Sequence, residues 1–95
     1  MTGEDRAVLV RITGRVQGVG FRDWTRREAV TLGLTGWVRN ESDGSVRALL
    51  AGPENAVAAM IERLWNGPAF ASVSDVRTDA ADIAGIPAGF NIVSR

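Results

Sequence analysis

With 95 residues the chain can bury one hydrophobic core and is too short for two. Apolar residues make up 45% and charged residues 23%, ordinary globular usage, with no apolar run near the roughly 18 residues of a membrane span and no signal-peptide core at the N-terminus. Eleven basic residues, all Arg, balance eleven acidic ones, which leaves no basic field to hold a nucleic acid by counterion release; a cytoplasmic protein without membrane or nucleic-acid partners is expected.

Residues 1–6 are polar and are read as a flexible N-terminus, with 7–95 forming the domain. From Ala7 to Thr13 the β-branched alternation of Val8, Val10 and Ile12 predicts a first strand. It feeds Gly14-Arg15-Val16-Gln17-Gly18-Val19-Gly20-Phe21-Arg22. From Arg22 to about Leu32 no Gly or Pro interrupts a helix, and Phe21, Thr25, Ala29 and Leu32 share one face; Gly33 ends it. Trp24 lies off that face. Gly36 to Asn40 and Ser45 to Ala51 flank an Asp43-Gly44 turn, which predicts an antiparallel hairpin.

Gly52-Pro53-Glu54 opens a second helix, with Pro53 suited to its first position and Glu54 to the positive end of its dipole. Val57, Met60, Ile61, Leu64 and Trp65 form its apolar stripe, read as core packing, before Gly67-Pro68 stops it. Ala71 to about Ala80 is a strand whose Val73 and Val76 are out of phase, which predicts a bulge. A short strand, Phe90 to Val93, follows. The order β-α-β-β-α-β plus a short C-terminal strand matches an α+β, ferredoxin-like split βαβ sandwich, with two helices on one face of a mainly antiparallel sheet. Such a fold alone licenses no function.

Absent residue types narrow the chemistry. Without Cys there are no disulfides, thiolate nucleophiles or Cys-based zinc sites. Without His imidazole is lost as nucleophile, general base and metal ligand. Without Lys there is neither a Walker-type loop nor a Schiff base. An enzyme built from this chain works with Arg, Asn, carboxylates, hydroxyls and backbone amides.

The glycine stretch fails both familiar nucleotide motifs. A dinucleotide fingerprint from Gly18 needs Gly where Asp23 stands, and a Walker loop needs the missing Lys. What survives is an anion cradle: amides bared by glycine, a helix N-terminus and the guanidinium of Arg22. A tight strand-to-helix connection with a solvated Arg22 explains the stretch by itself equally well. Asn40, taken alone, reads as a turn residue before a hairpin. Asp23 and Glu28 are read as surface carboxylates and Arg39 as a surface residue on the opposite sheet face.

Taken together, G-R-V-Q-G-V-G-F-R and G-W-V-R-N-E-S-D-G-S-V followed by Gly52 resemble, in content and separation, the two signatures of the acylphosphatase family. The likeness runs from about Ala7 to Val93. It implies a metal-free hydrolase, without cofactors, that splits acyl phosphates into a carboxylate and inorganic phosphate, the latter also an inhibitor. Carried over by motif, Arg22 binds the phosphate and Asn40 holds the attacking water. Backbone amides of Arg15, Val16, Gln17, Gly18, Val19 and Gly20 line the phosphate. The leaving group of an acyl phosphate is a weakly basic carboxylate, so a site lacking strong acid–base groups suffices.

Two rivals stand beside this expectation of a monomeric enzyme. One is a counterpart of the acylphosphatase-like domain of larger carbamoyl-transfer maturation proteins, although the length favours a free-standing enzyme. The other is a non-catalytic anion-binding or RNA-binding module on the same fold. RNA recognition expects aromatics on a sheet face and a basic surface, and this chain has three Trp, three Phe and zero net charge.

Overall fold

The alternation of Val8, Val10 and Ile12 forms strand β1 (Asp5–Arg15), each of the three side chains essentially sealed from solvent. The computed structural model describes residues 4–94; the part of the expected flexible N-terminus at residues 1–3 lies outside the described residues. β1 starts two residues before Ala7, because Asp5 and Arg6 pair with Pro53 and Gly52. After β1 come α1 (Phe21–Thr31), β2 (Thr35–Asn40), β3 (Val46–Pro53), α2 (Glu54–Asn66), β4 (Ser72–Ala80) and β5 (Phe90–Ile92).

The strands join in the order β4-β1-β3-β2-β5. Every pairing is antiparallel except that of β5 with β2. This is the ferredoxin-like split βαβ arrangement that the element order implied. One sheet face supplies Val8, Val10, Ile12, Val38, Val46, Ala48 and Leu50 to a core completed by Phe21 and Ala29 of α1 and Val57, Met60 and Leu64 of α2. Burial of each larger apolar side chain contributes about 1.5–3 kcal/mol before entropy opposes it. Trp24 covers the core's edge, half-buried, with its ring centroid 5.5 Å from that of Phe21.

Three departures from the sequence pattern have physical reasons. Pro53 is not the first helical residue but the residue before it, with φ −56° and ψ 140°; its fixed φ suits either place, while its ψ continues the strand. Trp65 remains 49% exposed. Successive helical residues turn by about 100°, so Trp65 swings off the line that Val57, Met60 and Leu64 drive into the sheet. The bulge in β4 falls at Ser74, since Thr13 pairs with Asp75 while Gly14 pairs with Val73. One extra residue there lets both Val73 and Val76 reach the core.

β5 is short but well tied. The Gly36 amide donates to the Gly89 carbonyl and the Val93 amide to the Val38 carbonyl, both at 2.9 Å. Arg26 Nε adds a bond to the Phe90 carbonyl at 3.2 Å, and the Phe90 ring is buried. The last strand is thereby held beside β2, at the end of the sheet to which the glycine loop also returns.

Candidate active site

The glycine loop is pinned at both ends. Val16 and Phe21 are 1% and 2% exposed, so hydrophobic burial fixes the entry and exit of an arch over residues 17–20. Gly18 and Gly20 have φ of +75° and +76°, a left-handed conformation costly to residues with a Cβ. Gly20 is also the N-cap of α1 and offers no capping side chain. Among the described residues, the amides from Gln17 to Asp23 donate to no backbone carbonyl outside the regular elements. The first intrahelical bond runs from the Trp24 amide to the Gly20 carbonyl at 3.1 Å. Unpaired donors and the positive end of the helix dipole therefore coincide.

Asn40 is the last residue of β2. It alternates onto the same sheet face as the buried Val38 and hence toward α1. The turn that follows is saturated with hydrogen bonds. The Glu41 amide donates to the Ser45 carbonyl at 2.9 Å and the Gly44 amide to the Glu41 carbonyl at 3.2 Å. Asp43 Oδ1 accepts from the Ser45 amide at 2.9 Å and from its hydroxyl at 2.6 Å. Those two bonds, the hydroxyl's first, with the nearby Arg11 charge, hold the Asp43 carboxyl below its ordinary value. Within this ordered setting Asn40 Oδ1 is buried and meets no hydrogen-bond partner among the described residues.

Loop, helix start and Asn40 enclose a cleft of about 240 Å³, lined by Val16, Gln17, Gly18 and Gly20, by the first turn Phe21–Asp23, and by Asn40 and Ile92. That is below the roughly 300–1,000 Å³ of sites for drug-sized ligands, so the cleft suits a phosphate-sized group. A neighbouring recess shares Arg22 and Asn40 and adds Glu41, Ser42, Val93 and Ser94. The half-buried Arg22 makes no salt bridge among the described residues. The carboxylates that line the cleft and the recess beside it are already occupied: Asp23 by Arg27 at 3.3 Å and Glu41 by Arg39 at 2.6 Å. Arg22 is left without a carboxylate partner among the described residues, in the same cleft as the unpartnered side-chain oxygen of Asn40.

Of the residues expected at the site, Val16, Gln17, Gly18, Gly20, Arg22 and Asn40 meet at this cleft. Arg15 and Val19 do not line it. Arg15 ends β1 opposite Ser72, and Val19 packs against the core. Arg39 does lie on the opposite sheet face, but it is half-buried, stacked 4.7 Å from the Trp37 ring centroid and spent on Glu41. Ile92, Val93 and Ser94 escaped sequence reasoning because nothing in the chain signals a parallel strand beside β2. No three acidic residues among those described lie close enough to hold a metal ion. Nor is any helix among them long and apolar enough to cross a membrane.

A split βαβ sandwich with a small cleft at the strand ends that holds Arg22 and Asn40, furnished with neither thiol nor imidazole, defines a ferredoxin-like α+β protein. A family model described as Acylphosphatase matches residues 8–92, and the chain belongs to the acylphosphatase family, hydrolases acting on acid anhydrides. The acylphosphatase of Rhizobium meliloti (strain 1021) is 65% identical over 92 residues, 97% of this chain and 97% of that one. Among solved structures, an acylphosphatase from Bacillus subtilis is 40% identical with a TM-score of 0.87, over 92% of this chain and 97% of that one. One from Coxiella burnetii is 35% identical with a TM-score of 0.89, over 94% and 93%.

Proposed function

We propose that this chain hydrolyses acyl phosphates to a carboxylate and inorganic phosphate by metal-free, in-line attack of water. The observation that carries the reading is the meeting, in one phosphate-sized cleft, of an Arg22 paired with no carboxylate among the described residues and a buried, unpartnered Asn40 Oδ1. Arg22 makes paired hydrogen bonds to two phosphate oxygens, and amides of the loop residues that line the cleft, Gln17, Gly18 and Gly20, and of the α1 N-terminus serve the rest. Asn40 Oδ1 accepts from the attacking water and fixes its approach opposite the leaving carboxylate. The water oxygen bonds to phosphorus, the bond from phosphorus to the acyl oxygen breaks, and its electron pair departs with the carboxylate. A phosphate oxygen takes the water's proton. Charge on the equatorial oxygens is met by donors already in place.

The same reading makes the protein a cytoplasmic monomer that needs neither cofactor nor nucleic acid, with inorganic phosphate as product and competitive inhibitor. The test is hydrolysis of benzoyl phosphate against phenyl phosphate in the presence of a chelator. Turnover of the anhydride alone, indifferent to chelator and inhibited by phosphate, is expected. Chelator-sensitive turnover would refute the metal-free route, and a salt-sensitive RNA complex without hydrolysis would replace the reading altogether.

A further inference from the structure

Gln17 joins the two halves of the cleft. Its backbone lies in the glycine loop, while its Nε2 donates to the carbonyls of Glu41 and Ser45, each at 2.8 Å. These carbonyls stand at the two ends of the turn between β2 and β3, the same turn that the Glu41 amide closes on Ser45. A primary amide has two N–H donors, and both are directed to acceptors here. Because both partners are carbonyl oxygens, the amide nitrogen must face them and the orientation of the group is fixed by chemistry. Glu41 directly follows Asn40, so the bridge sets the separation of loop and hairpin one residue from the side chain that holds the water.

We infer that Gln17 is a positioning residue for the hydrolysis: its side-chain amide fixes Asn40 relative to the phosphate loop and so aligns the water with the bound phosphorus. The inference rests on the acylphosphatase reading given above. No other side chain among the described residues donates across from the loop to this turn. Arg22 and the loop amides bind phosphate from the loop side alone. Loss of the bridge should therefore disturb alignment more than phosphate affinity.

The experiment compares wild type with Gln17→Met, which keeps the length of the side chain and removes both donors. Steady-state hydrolysis of benzoyl phosphate gives kcat, competitive inhibition by inorganic phosphate gives the affinity of the loop, and thermal unfolding establishes that the variant is folded. Misplacement of a reacting group by about 1 Å costs on the order of a hundredfold. The expected result is a kcat lower by roughly ten- to a hundredfold with the inhibition constant of phosphate little changed.

A folded variant with wild-type kcat would overturn the inference and leave the acylphosphatase reading standing. Equal losses in kcat and phosphate affinity would overturn it too, by placing Gln17's role in the loop alone. Wild-type protein inactive on benzoyl phosphate would instead remove the reading beneath it. If Gln17→Met does not fold, Gln17→Ala removes the same donors and is judged by the same two constants.

Discussion

The two helix N-termini of this protein answer the same problem differently. Neither α1 nor α2 has a capping side chain, and each carries one acidic residue in its first turn, Asp23 and Glu54 respectively. At α2 the Glu54 amide donates to the Glu4 carbonyl at 3.0 Å, so the residue just before β1 occupies the helix end. At α1 the cap is a left-handed Gly20, and the end opens on the cleft beside Arg22 and Asn40. The helix dipole is common to both. What distinguishes a candidate site from a structural joint is what stands over the free amides.

Substitutions at the two ends sharpen that contrast. The largest effect is expected from Asn40→Ala, which should reduce acyl phosphate turnover to background while inorganic phosphate still binds, as read by ligand-induced thermal shift. Loss of both would make Asn40 part of the binding surface and weaken its assignment to water. Next, Arg22→Lys should lose nearly as much kcat/KM as Arg22→Ala, on the order of 3–4 kcal/mol in the transition state, because an ammonium lacks the planar fork. A Lys variant with near-normal turnover would sink the paired hydrogen bonds.

Gly20→Ala should cost about 1–2 kcal/mol of stability in denaturant unfolding. No neighbouring atom lies within 4 Å of the added Cβ, so backbone conformation alone is being measured. Smallest of all, Glu54→Gln at the occupied helix end should cost about 0.3–1 kcal/mol of stability and leave kcat unaltered. A change in kcat there would break the division between the two ends.

The sequence exposed most of the fold because its local signals agree with the global arrangement. Alternation of Val8, Val10 and Ile12 set β1, and Asp43-Gly44 set the hairpin. Arg22 and Asn40 were legible as a pair because two motifs at a characteristic separation specify more than either alone. β5 was legible as a strand but not as the parallel neighbour of β2; three residues carry no information about their partner. Gln17 offered no signal for its bridge, since its acceptors are backbone carbonyls that any residue supplies. Trp65 misled because helical periodicity marks a direction, whereas burial depends on how wide a surface the sheet presents.

The bulge at Ser74 has a bearing on how the protein behaves among its own copies. β4 is a border strand of the sheet, a place where unpaired backbone groups could recruit a strand from another molecule. The extra residue twists that border locally, and exposed Arg77 and Asp79 with the half-exposed Asp75 set charges of both signs along it. An intruding strand would meet a kinked, charged rim instead of a straight apolar template. At the opposite border β5 spans only Phe90–Ile92, too short to seed a second sheet. The irregularity that lets two valines reach the core thus also makes that border a poorer template for strand pairing.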